Sequence, residues 1–118
     1  MGDTLGYLRV SSLRQEEQGF SLDAQEDLAR SYAAKNSLTL DRDPWRVSES
    51  AWHEEREAFN ELIVYAKSHP NIRHIIFDSL DRMTRNDFDK RKIHDLIMNH
   101  NITVHFARTN RTLDRNAN

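Results

Sequence analysis

Two arginine-bearing stretches carry the chemistry this chain could perform. Arg9-Val10-Ser11 closes an apolar run that begins near Leu5 and sets a hydroxyl nucleophile two residues from a cation, and Leu80-Asp81-Arg82-Met83-Thr84-Arg85 supplies two more cations and a carboxylate far downstream. A serine near several arginines, with no evident base beside it, suits attack on a phosphate better than on an acyl group. Phosphoryl transfer needs the attacking and leaving oxygens in line and the negative charge on the equatorial oxygens stabilised. Arginine stays protonated and its planar fork matches two phosphate oxygens, so Arg9, Arg82 and Arg85 form a candidate clamp, with Arg56 as a fourth member. Ser12 is a rival nucleophile. On a strand that persists, Tyr7, Arg9 and Ser11 share one face while Ser12 points to the other, which favours Ser11. Asp81 is open to two uses: pairing with an arginine, or donating a proton to the leaving oxygen.

Other chemistries are short of residues. Without cysteine there is no disulfide framework, no thiol nucleophile and no Cys-based zinc or iron–sulfur site, which suits a reducing compartment, with the cytoplasm as the default. His53, His69, His74, His94, His100 and His105 show neither an HExxH pattern nor an i, i+4 pair. The carboxylates form no DxDxDG loop, and no glycine-rich phosphate loop ending in Gly-Lys-Ser or Gly-Lys-Thr is present, so the reading calls for no metal and no nucleotide cofactor. Trp45 and Trp52 are expected to pack locally or to cover a core edge. Seventeen basic against 19 acidic side chains argue against holding DNA by bulk charge, so any nucleic-acid work must use local arginines. No apolar run approaches the roughly 20 residues that span a bilayer, and no membrane association is expected.

What must position these groups is one domain, since 118 residues suffice for a single core. Leu5, Tyr7, Leu8 and Val10 read as a first strand. Ser21 then caps a helix carrying Leu22, Leu28, Ala29, Tyr32 and Ala33 and ending around Asn36. Residues 38–40 read as a weak second strand, and residues 41–55, aperiodic and containing Pro44, as a long loop. Phe59, Leu62, Ile63 and Ala66 give an amphipathic helix stopped by Pro70, with Arg56 at its entrance. Ile72, Ile75, Ile76 and Phe77 form a more continuously apolar strand, as a central parallel strand would. After a turn over residues 79–85, Asn86 opens a helix with Ile93, Leu96 and Ile97, and Ile102, Val104 and Phe106 alternate as a fourth strand. The polar run 108–118 offers no core. The order β-α-β-α-β-α-β predicts an α/β domain with a mainly parallel central sheet of about four strands flanked by helices. Sites in such folds lie beyond the carboxyl ends of the strands, where Ser11 and residues 81–85 fall.

Four blocks, in this order, resemble those of the catalytic domain of the serine recombinases, the resolvase and invertase family of site-specific DNA recombinases. They are Tyr7-Leu8-Arg9-Val10-Ser11-Ser12, Gly19-Phe20-Ser21-Leu22-Asp23-Ala24-Gln25, Glu49-Ser50-Ala51 with Arg56 and Phe59 following, and Asp78-Ser79-Leu80-Asp81-Arg82-Met83-Thr84-Arg85. The resemblance implies that Ser11 attacks the scissile phosphodiester of double-stranded DNA, giving a 5′-phosphoseryl link and a free 3′-hydroxyl before strand exchange and religation. It implies phosphate-binding roles for Arg9, Arg56, Arg82 and Arg85, supporting roles for Tyr7, Gln25, Ser50 and Asp81, and no cofactor. It also implies a dimer and a synaptic tetramer for the full-length protein. The runner-up is a non-catalytic DNA-associated or assembly domain that keeps the recombinase fold.

Some positions depart from the family pattern. Ser50-Ala51 stands where Ser-Gly is common, Glu57 where a proline follows the arginine, and Val47 where an acidic residue is usual, with Asp43 or Glu49 as substitutes. The chain stops near where the family's long dimerisation helix begins, so residues 1–118 read as a catalytic domain cut before that helix and the DNA-binding domain. Target-site affinity would then reside beyond Asn118, which fits the near-neutral charge.

Overall fold

The computed structural model describes residues 2–10, 21–84 and 86–116. Within them the chain runs β1 (Thr4–Val10), α1 (Leu22–Lys35), β2 (Trp45–Ser48), α2 (Trp52–Ser68), β3 (His74–Phe77), a 3-10 turn (Leu80–Arg82), α3 (Asp87–His100), β4 (Thr103–Phe106) and β5 (Arg111–Leu113). The sheet order is β2-β1-β3-β4-β5. All neighbours are parallel except β4 and β5. The expected α/β architecture is therefore the one observed, with one strand more than expected.

β1 is buried at every residue, so both of its faces need cover. Leu5 and Tyr7 belong to the larger layer, closed by Phe59, Leu62, Ile63 and Ala66 of α2 and by Ile93, Leu96 and Ile97 of α3. Leu8 points the other way and joins Ile76 against Ala29, Tyr32 and Ala33 of α1. Each large aliphatic side chain fully buried is worth about 1.5–3 kcal/mol, so the first layer supplies most of the stabilisation. The second, with two alanines at its contact, lets α1 lie close to the sheet.

Local signals bound the helices. Ser21 Oγ accepts from the Ala24 N–H at 3.0 Å and caps α1, and Asn86 Oδ1 accepts from the Asp89 N–H at 2.8 Å and caps α3. Asn101, at φ 55°, ends α3 in the left-handed conformation that asparagine tolerates better than most residues.

Three expectations are corrected. Residues 38–40 form no strand; Leu40 makes a single bridge to Thr4. The second strand lies inside the expected loop instead, where Trp45 and Val47 are buried and pair with Tyr7 and Arg9 of β1. Pro44 precedes this strand, where its missing N–H breaks no ladder. It packs so close to Gly6 that a Cβ there would stand 3.1 Å from the proline Cβ. The same loop expectation hid the first turn of α2, which begins at Trp52, ahead of Arg56. Finally, the polar run after Phe106 contains β5, antiparallel to β4, and its Leu113 packs against the core. Among the described residues no helix is long and apolar enough to cross a membrane.

Candidate active site

The parallel strands β1, β2 and β3 end at one edge of the sheet, and α1, α2 and α3 each follow one of them. Each helix buries a stripe at i, i+4, i+7 and i+8, and the residue that leads each stripe is polar. Gln25 precedes Ala29, Tyr32 and Ala33; Glu55 precedes Phe59, Leu62 and Ile63; Asp89 precedes Ile93, Leu96 and Ile97. An amide and two carboxylates exposed by only 0%, 4% and 3% require partners. Arg9 bonds Gln25 and lies within ion-pair range of Glu55, and Arg56 bonds Asp89.

Arg9 is itself only 3% exposed. Pairing between β1 and β3 stops at Tyr7 and Phe77, which leaves the Arg9 backbone without a neighbouring strand on that side. The Gln25 carboxamide replaces it, accepting from the Arg9 N–H at 3.2 Å and donating to the Arg9 carbonyl at 3.1 Å. The Arg9 guanidinium donates to the Glu49 carboxylate and lies 4.0 Å from that of Glu55. It also donates to the main-chain carbonyls of Asp81 at 2.7 Å and Arg82 at 3.3 Å. One side chain thus joins β1, the segment leaving β2, the head of α2 and the 3-10 turn. A lysine, with one compact ammonium, cannot span these acceptors. In this arrangement the Arg9 donors address the protein. Of the two acidic residues weighed as substitutes near Val47, Glu49 stands beside Arg9, whereas Asp43 pairs with Arg30 at the surface.

Arg56 is the second centre. Its Nη2 donates to Asp89 Oδ1 at 2.9 Å and its Nη1 to Oδ2. Burial pushes the Asp89 carboxyl up, but the hydrogen bonds and charge of Arg56 outweigh it and hold Asp89 below the usual carboxylate range. The same bonds hold Arg56 still more firmly protonated. Tyr7 packs edge-on against Phe59 at 6.0 Å and Phe77 at 5.9 Å, and burial, followed by the Glu55 charge, pushes its hydroxyl up. A phenol held this way stays neutral.

The Asp81 carboxylate accepts the Ser79 hydroxyl at 2.6 Å, and that bond first, with the Arg82 and Arg9 charges behind it, holds it below the usual range. Ionised in the resting domain, it is an acceptor, and its main-chain carbonyl accepts from Arg9. Arg82 is half-buried in the same turn. A groove of about 710 Å³ opens beside this turn, lined by Leu80, Asp81, Phe106, Arg111 and Leu113 among others. Ser50 is exposed just beyond β2, its hydroxyl 2.7 Å from that of Ser48. Ser11, its rival Ser12, and Arg85 lie outside the described residues. Trp45 is buried, while Trp52 is half exposed. Among the described residues no group of three or more His, Asp or Glu side chains is placed to hold a metal ion.

Sequence reasoning missed the counter-charges Glu55 and Asp89. Their signal was a carboxylate leading an otherwise apolar stripe, a position that surface residues do not occupy.

No curated protein matches the chain. The sequence model of one family, described as the resolvase N-terminal domain, matches residues 4–118, a span that contains every strand and helix described above. The chain belongs to the resolvase N-terminal domain family and is a serine recombinase catalytic domain.

Proposed function

We propose that this domain cuts and rejoins double-stranded DNA through Ser11. The Ser11 Oγ attacks the scissile phosphorus: a P–Oγ bond forms, the bond from phosphorus to the 3′ oxygen breaks, the serine proton departs to an acceptor, and the leaving 3′ oxygen takes up a proton. The products are a 5′-phosphoseryl link and a free 3′-hydroxyl. Attack by the 3′-hydroxyl of an exchanged strand reverses each of these changes, so the phosphodiester re-forms without an external energy source. Arg82 and Arg85 stabilise the phosphoryl oxygens most directly, with Arg56 beside them. Arg9, Gln25 and Tyr7 hold the framework, Ser50 supports it, and Asp81 lies in the turn next to Arg82. Assembly into a dimer and then a synaptic tetramer on DNA is part of the same proposal.

The observation that supports this reading most is the Arg9 guanidinium, which ties the strand leading into Ser11 to the main chain of Asp81 and Arg82. Nucleophile strand and arginine turn are thereby held as one unit, as an in-line displacement requires.

The experiment is covalent capture. A recombinase polypeptide containing this domain is incubated with DNA bearing its recombination site, quenched in denaturant and resolved for protein–DNA adducts. Wild type and Ser12→Ala are expected to form the adduct, and Ser11→Ala to form none. An adduct that persists in Ser11→Ala sinks the assignment. DNA association by wild type with no adduct would favour the non-catalytic assembly reading instead.

A further inference from the structure

A single series of contacts runs from α2 to both neighbours of Arg85. Asp89, buried in the first turn of α3, takes both ends of the Arg56 fork. The Asn86 side-chain amide donates to Asp89 Oδ2 at 3.1 Å, and the Asp89 N–H returns a bond to Asn86 Oδ1 at 2.8 Å. The Asn86 carbonyl in turn accepts the hydroxyl of Thr84, itself buried, at 2.9 Å. Thr84 and Asn86 flank Arg85 in the chain.

Helix capping does not account for this arrangement. Asn86 caps α3 through the Asp89 main chain alone, so the Asp89 carboxylate is not needed to start the helix. A buried carboxylate is costly to desolvate, and this one is held by hydrogen bonds from Arg56 and Asn86. The pair also leaves Arg56 usable. A guanidinium carries five N–H donors, and a fork–fork pair occupies two, so three stay available to another acceptor without breaking the pair.

We infer that Asp89 is a positioning residue of the active site: it orients Arg56 toward the scissile phosphate and, through Asn86 and Thr84, sets the main chain on either side of Arg85. This inference rests on the proposed phosphate-binding role of Arg56. Asp89 touches no reacting atom and acts through its neighbours.

The test is a double-mutant cycle on DNA cleavage with Arg56→Ala, Asp89→Asn and the pair, in the polypeptide used for covalent capture. Asp89→Asn is expected to slow single-turnover cleavage at saturating DNA by roughly 10- to 100-fold, as a displaced positioning contact does, while DNA affinity changes by less than about threefold. Added to Arg56→Ala it should cost no more than about twofold, because its effect passes through the group already removed. Asp89→Asn cleavage within about twofold of wild type, or losses that multiply in the pair, would overturn the inference. Asp89→Asn deprives the partly buried Arg56 of its counter-charge and can unfold the domain, so a second measurement uses wild type. Nuclear magnetic resonance of the Arg56 guanidinium near neutral pH should resolve distinct Nη hydrogens, rotation being blocked by the Asp89 fork. One averaged signal, as for a freely rotating arginine, would overturn the inference. Wild type that forms no DNA adduct would bring down the parent reading with it, whereas normal cleavage alongside a freely rotating Arg56 would defeat the Asp89 role alone.

Discussion

Replacing Arg9 with alanine distinguishes an arginine that grips phosphate from solvent from one that holds the domain together. The side chain is buried, and it faces the carboxylates of Glu49 and Glu55 and two main-chain carbonyls. Removing one partner of a buried ion pair costs about 3–5 kcal/mol, because the remaining charge stays desolvated. The two carbonyls that lose their donor add about 1 kcal/mol each. Glu49 is partly exposed and can regain water, which discounts the total to roughly 4 kcal/mol. For a domain of this size about 3–4 °C of melting temperature accompanies each kcal/mol, so Arg9→Ala should melt roughly 12–16 °C below wild type. Arg9→Lys should recover less than half of that loss, since an ammonium cannot serve all four acceptors. Calorimetric melts, paired with urea titrations, are the assay. Arg9→Ala melting within about 2 °C of wild type would show that this side chain does not hold the domain together.

Three further outcomes are expected. Arg82→Ala and Arg85→Ala should each slow cleavage by about 2–4 kcal/mol of transition-state stabilisation, and normal cleavage by both would contradict their phosphate role. His105, 2.8 Å from the Tyr32 hydroxyl and 2.9 Å from the His74 ring, is pushed down to about 4 by burial and then by the His74 charge, and His74 is also lowered by burial. The unfolded chain takes up the His105 proton near pH 6.5 and the folded chain only near 4. Stability is therefore complete above about pH 6.5 and declines as the pH falls toward 4, by roughly 3 kcal/mol at most. Urea titrations at about pH 7 and pH 5 should show the decline, and a His105→Gln variant that keeps all of it would disprove the cause. Gly2→Ala would bring a Cβ to 2.4 Å from the Asp41 backbone nitrogen, whereas Gly6→Ala would meet only the Pro44 side chain, at 3.1 Å. Gly2→Ala should therefore cost more, about 1–3 kcal/mol in denaturant titration, and the reverse order would be inconsistent with this packing.

The elements that could be read from sequence are those whose local signals agree with their tertiary surroundings. α1 and α3 begin at capping side chains and carry apolar stripes, and β3 is apolar and buried after His74. β2 escaped notice because a four-residue strand holds only two inward positions, Trp45 and Val47, and the proline before it reads as a loop marker. Its pairing with β1 is a long-range fact that no local window contains. β5 was hidden for the same reason, with Leu113 as its one contact with the core. Residues 38–40 misled in the opposite sense, since their leucines look like a strand while the chain is only passing the start of β1. At the site, the arginines were legible by type and spacing. Their direction was not: that Arg9 faces Glu49 depends on the pairing of β1 with β2, and that Arg56 is engaged by a residue 33 positions away depends on the packing of α2 against α3.

Whether Ser11 forms the proposed covalent bond to DNA is read out by peptide mapping of the trapped adduct. After nuclease and protease digestion, mass spectrometry should place a single 5′-linked nucleotide on the peptide containing Ser11, with fragmentation confining it to that residue. A nucleotide on Ser12 or elsewhere, or a link through the 3′ phosphate, would contradict the account.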